Sequence, residues 1–139
     1  MKVYTSTIQV RTRGETDIID ITQRVKEKVT PIHVTNGSLL LFIPGSTAAL
    51  TTIEAESGVM NDLRKAIERI VPRNIPYEHD KRWEDGNGYA HVRAALIGPS
   101  LNIPILDKQM ILGTWQQIVL LDFDNRPRSR EIVIQIMGE

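Results

Sequence analysis

The chain reads as α+β: mostly antiparallel β-sheets, sandwich-like, with two main helices packed on them. Three observations lead there. At least five stretches carry strand signatures, and two others repeat apolar residues at helical spacing. Strands and helices also fail to alternate regularly, as a parallel α/β sheet would require. A length of 139 residues makes residues 1–139 a single domain, able to bury about two thirds of its unfolded surface.

Val3 to Arg13 alternates, with Tyr4, Ile8 and Val10 on one side and Thr5, Thr7, Gln9 and Arg11 on the other, the pattern of a half-buried strand. Asp17 to Ile21 is a short strand, and its Asp20 is a helix N-cap with Gln23 three residues on. Ile21, Val25 and Val29 form the narrow apolar stripe of a first helix that Pro31 stops. Asn36-Gly37 is a turn, and Ser38 to Ile43 a buried strand.

Pro44-Gly45-Ser46-Thr47 is expected to open the second helix, with Thr51-x-x-Glu54 in the form of a capping box. Val59, Leu63, Ala66, Ile67 and Ile70 give that helix its apolar face, and Val71-Pro72 ends it. Arg73 to Gly88 shows no periodicity and reads as a long connection, a kind of segment that is usually functional or mobile. Tyr89 to Ile97 reads as a strand. Ile118 to Phe123 and Ile132 to Met137 read as an antiparallel pair joined by the turn Asn125-Arg126-Pro127-Arg128. Between them, Ile103-Pro104-Ile105 places a proline in an apolar run, which confines it to an edge or to irregular extended chain.

Seventeen basic and seventeen acidic side chains cancel, so no global charge steers the chain to nucleic acid or an anionic membrane, and neither partner is expected. Near-zero net charge also removes one safeguard against self-association. There is no cysteine, hence no disulfide framework and no thiolate chemistry. Apolar runs such as Leu39 to Ile43 fall far short of the ~20 residues needed to span a bilayer. No basic-then-apolar leader opens the sequence, and a cytoplasmic protein is the expectation.

Chemistry-bearing residues cluster in a few places. His79 lies in Tyr77-Glu78-His79-Asp80, and His91 follows Asp85-Gly86-Asn87-Gly88; a histidine beside a carboxylate-bearing loop suits proton transfer or metal ligation. Gly45-Ser46-Thr47, at the end of a strand and ahead of a helix, has the make-up of an anion cradle. Gly113 directly ahead of Trp115 allows either a bulge beside a packed indole or a close approach of ligand to a flat apolar face.

Ser100, Ile103-Pro104-Ile105, Ile111-Leu112-Gly113-Thr114-Trp115-Gln116, Asp122-Phe123-Asp124 and then Arg128 and Arg130 together resemble the YjbQ-like family, whose members are often named secondary thiamine-phosphate synthases. The likeness runs from about Gly37 to Gly138 and more loosely over the N-terminal part. It implies a homotrimer acting on small phosphorylated metabolites, joining an aminopyrimidine pyrophosphate to a thiazole phosphate with release of pyrophosphate. It further implies Glu54 and His91 as catalytic groups, His79 and His91 as ligands to a divalent metal, and Ser46, Thr47, Asn87, Gly88, Trp115 and Gln116 as ligand contacts. Trp115 would stack the pyrimidine and Gln116 would read its polar edge. The family's pattern has a histidine where this chain has Gly45 and an asparagine where it has Ile53. The alternative is therefore a non-catalytic oligomer that binds a phosphorylated molecule or an ion.

Overall fold

A computed structural model describes all 139 residues. Two antiparallel sheets lie face to face, and helices cover the outer face of the smaller one. The larger sheet has the order β1-β8-β3-β5-β6, built from β1 (Lys2–Thr12), β3 (Gly37–Phe42), β5 (Ser100–Leu106), β6 (Gln109–Met110) and β8 (Arg128–Gly138). The smaller has the order β2-β7-β4, from β2 (Asp17–Asp20), β4 (Ala48–Ile53) and β7 (Gln117–Asp122). The α+β sandwich expected from the sequence is thus observed, with a third, helical layer.

The main core lies between the sheets. Ile8, Leu39, Leu41, Ile103, Ile132 and Ile134 from the larger sheet meet Leu50, Ile118 and Leu120 from the smaller. The first helix, α1 (Thr22–Val29), closes this layer with Val25 and Val29. The N-cap of α1 is Ile21, with no side-chain cap bond, so the expected Asp20–Gln23 box is corrected: Asp20 ends β2 and instead accepts the Thr22 N–H at 2.9 Å and its hydroxyl at 2.6 Å. A second core lies on the other face of the small sheet, where Ala49, Val119 and Leu121 pack under α2 (Ser57–Ile70) and α4 (Gly88–Ile97) through Ile67, Tyr89, Ala90 and Ala94. Because β7 is covered on both faces, its residues 118–122 are all buried, as for a central strand sandwiched between layers.

Several expectations are corrected. Ala48–Ile53 is a strand, paired along β7 from Ala48↔Asp122 to Ile53↔Gln117. The second helix starts only at Ser57, where the Glu56 carboxylate accepts the N–H groups of Gly58 and Val59, each at 2.8 Å, in place of a Thr51–Glu54 box. Its Ile70, assigned to the apolar face, is exposed.

Tyr89 to Ile97 is a helix, not a strand. Tyr89, Ala90, Arg93 and Ala94 are buried together, which is helical spacing, and they rest on β4. The stretch read as structureless contains a further short helix, α3 (Glu78–Trp83). Finally, β7 and β8 are strands but not partners: the turn between them carries the chain from the small sheet to the large one, where β8 pairs with β1 and β3.

Pro104 sits inside β5 beside the two-residue edge strand β6. Its carbonyl accepts from Ile111 on that edge side. The imino nitrogen of an extended residue faces the same way, so no ladder bond to β3 is lost.

Candidate functional site

Two aspartates at the end of β7 organise one end of the small sheet. Asp122 is fully buried and accepts from Thr12 Oγ1 (2.5 Å), Arg130 Nε (2.7 Å), Arg130 Nη2 (2.9 Å) and the Asp124 N–H (3.0 Å). Asp124, also fully buried, accepts from Thr47 Oγ1 (3.1 Å), Asn87 Nδ2 (3.2 Å), the Asn125 N–H (2.8 Å) and Arg128 Nε (3.0 Å). Burial alone would raise the Asp124 pKa, but these four donors outweigh it and bring the group down to about 2. Asp124 is thereby held as an anion; it pairs with Arg128, and Asp122 with Arg130. Arg128 and Arg130 lie two apart on β8, so both side chains leave the strand on one face.

The N-terminus of α4 stands over this network. Asn87 is 7% exposed, and with Nδ2 turned to the Asp124 carboxylate its Oδ1 is left without a partner. The Gly88 N–H donates to Asp80 Oδ1 at 2.8 Å, which itself lies 3.1 Å from His79 Nδ1. Asp80 therefore ties α3 to α4, and its pKa is lowered, first by the bond to His79. A Cβ on Gly88 would stand 2.8 Å from Tyr77 Cβ and 3.2 Å from His79 Cβ, which explains the glycine by close packing. His79 and His91 follow as neighbours, their ring centroids 4.5 Å apart. Burial and the adjacent His79 both lower the His91 pKa, so His91 is neutral near pH 7 and able to accept a proton. Beside them Asp85, Asn87, Asn125, Arg126 and Arg128 line a wholly polar hollow of about 280 Å³.

The expected site residues divide into two groups. Thr47, Asn87, Gly88, His79 and His91 come together at this end, joined by Ser46 on the exposed loop before β4. Glu54, Trp115 and Gln116 lie at the opposite end of the β4–β7 pair, where Gln116 Nε2 donates to Thr52 Oγ1 at 3.1 Å. The run of β4 between the ends is about 20 Å at the usual rise per residue. Glu54 is therefore not an acid–base partner of His91 within one chain; the charged neighbours of His91 are His79, Asp124, Asp85 and Asp80. Trp115 is 74% exposed, so the reading of it as a core residue is also corrected.

Within one chain the donor set falls short of a zinc site held by protein ligands alone. His79 and His91 offer two imidazoles, but no three His, Cys, Asp or Glu side chains converge, and protein-held zinc takes at least three such ligands. Gly45 contributes no donor atom.

Residues 6–139 match the family model described as UPF0047 protein YjbQ-like. The chain belongs to the YjbQ/UPF0047 family. A UPF0047 protein of Archaeoglobus fulgidus is 35% identical over 94% of this chain and 98% of its own length. UPF0047 protein YugU of Bacillus subtilis is 33% identical over 95% and 98%. Among solved structures, a protein of Sulfolobus solfataricus P2, described as YbjQ-like and of unknown function, superposes with a TM-score of 0.94 at 33% identity, covering 99% of each chain. A hypothetical protein of Aeropyrum pernix K1 gives 0.91 at 31% identity, over 98% of this chain and 99% of that one.

Sequence reasoning quoted Asp122, Asp124, Arg128 and Arg130 as marks of the family resemblance, and the arginines as possible counter-charge, but gave the two aspartates no role in the site. The signal was present: two acids flanking a buried Phe123 at a strand end, then two arginines at strand spacing.

Proposed function

We propose that this YjbQ-family chain binds a small phosphorylated metabolite in the polar hollow at the N-terminus of α4, with His91 as the proton-handling group. The observation that carries the reading is the paired His79 and His91 beside a hollow that holds Arg126, Arg128 and the unpartnered acceptor of Asn87. Arginines suit a phosphate's oxygens, and Asn87 Oδ1 takes an N–H or O–H from the same molecule. A volume of about 280 Å³ lies at the lower edge of ligand-pocket sizes. It suits one small phosphate ester and is too tight for two heterocycles.

The small size of the hollow leaves room in this reading for completion by a neighbouring copy. Trp115 and Gln116 stand exposed at the far end of the sheet. Next to His91, the outer face of α4 exposes Val92, Ala95 and Leu96, with Leu96 at 64%. A homotrimer, as the resemblance implies, would bring an indole from one copy to the imidazoles of the next.

The reaction to test is the joining of aminopyrimidine pyrophosphate to thiazole phosphate. A coupling assay comparing wild type, His91→Ala and Trp115→Ala should show both variants slowed at least tenfold; equal rates for all three dismiss the assignment. Gly45 favours a second reading, binding without turnover. Gly45→His separates the two: gain of metal binding or of rate marks a degenerated enzyme, and no change marks a binding protein.

A further inference from the structure

Arg130 is only partly used by the network it belongs to. Its side chain is 10% exposed, Nε and Nη2 clasp Asp122, and Nη2 also donates to Thr47 Oγ1 at 2.7 Å. Nη1 has no hydrogen-bond partner. It faces Gly45, where an added Cβ would stand 3.5 Å from it. Gly45 is exposed with a φ of 130°, so the space in front of Nη1 opens to solvent.

The loop on the other side of that opening is equally uncommitted. No backbone N–H of Gly45, Ser46 or Thr47 donates to a main-chain acceptor, although the Thr47 carbonyl accepts from Phe123 at 3.0 Å. Consecutive free N–H groups beside a guanidinium are an anion-binding arrangement. The Asp122 clasp fixes the guanidinium plane, so Nη1 is oriented before any ligand arrives. Arg128 and Arg130 are balanced by Asp122 and Asp124, so oriented donors, not net charge, would hold the guest.

We infer that the opening between Gly45 and Arg130 is an oxyanion seat for a phosphate or phosphate monoester, with Arg130 Nη1 and the N–H groups of Gly45 to Thr47 as donors. The inference rests on the reading of the site as one for phosphorylated molecules, and locates the phosphate next to Gly45 instead of against Arg126. A side chain at position 45 would fill the seat. With glycine there, the space in front of Arg130 Nη1 stays open.

The test is a titration of the full chain with inorganic phosphate, followed by amide NMR against chloride at matched ionic strength. Saturable shifts at Gly45, Ser46 and Thr47 are expected, with affinity on the order of 1 mM. Arg130→Lys, which keeps the charge and loses Nη1, should weaken binding at least tenfold, and so should Gly45→His, whose side chain enters the opening; unchanged Arg130 Nε signals would check that the Asp122 clasp survives a non-glycine residue at a φ of 130°. Should Arg130→Lys not fold, Gly45→His decides alone. Unmoved amides at these three positions, or wild-type affinity in the folded variants, overturns the seat. Shifts confined to Asn125 and Arg126 also overturn it while leaving the metabolite reading standing. A phosphate seat at Gly45 with a negative coupling assay keeps the seat and removes the catalytic reading.

Discussion

Asp122 and Asp124 carry the site, and their effect on stability is measurable. Removing one member of a buried ion pair strands the other, so Asp122→Ala should cost about 3–5 kcal/mol in urea unfolding, with Arg130 left unmatched. Asp124 has a folded pKa of about 2 against 3.8 for the free group. A depressed carboxylate stabilises fully above its unfolded pKa, and that contribution disappears as pH falls through the folded value. Its contribution, roughly 2 kcal/mol from the conversion of pKa units to energy, should fade between about pH 4 and pH 2. Denaturant unfolding should then show the gap between wild type and Asp124→Asn closing over that window. His91 has the same sign at higher pH: its lowered pKa favours the folded state above about 6.5, and its imidazole signals should titrate below those of a free histidine. The histidine pair was legible in the sequence because His79 adjoins Asp80 and His91 follows the polar turn Asp85-Gly86-Asn87-Gly88. Glu54 was paired with His91 through the family resemblance alone; it directly follows β4 at the far end of the sheet, and a residue's partners follow from the element that carries it.

α4 shows why part of the fold could not be read from pattern. Its inner face is buried on β4 while Val92, Ala95 and Leu96 make its outer face apolar too. An element apolar all round has no periodicity to distinguish helix from strand. The amphipathic elements, β1 and α1, were legible for the opposite reason. β7 and β8 were recognised as strands but mispaired, since a short turn argues for a hairpin and nothing local reveals a change of sheet. Two element-level outcomes follow. Gly88→Ala pushes a Cβ against Tyr77 and His79, and should displace α3 from α4; ring-current shifts of His79 and His91 would report the lost stacking. Leu121→Ala, under the helical layer, should lower stability by about 2–5 kcal/mol.

The molecule as a whole places its polar hollow and its exposed indole at opposite ends of one three-stranded sheet. The proposed homotrimer would bring the two together from different copies, and near-zero net charge opposes no such association. Leu96→Glu, on the outer face of α4, should then lower the mass measured by light scattering to that of a single chain. The sandwich was legible from periodicity and from the irregular order of strands and helices; which surfaces would meet another copy is something no linear pattern encodes. The most direct measurement is a titration of the wild-type protein with aminopyrimidine pyrophosphate, watching the imidazole signals of His79 and His91. Saturable shifts of both rings, lost in Asn87→Ala, are predicted. Binding that leaves both imidazoles unmoved would contradict the site.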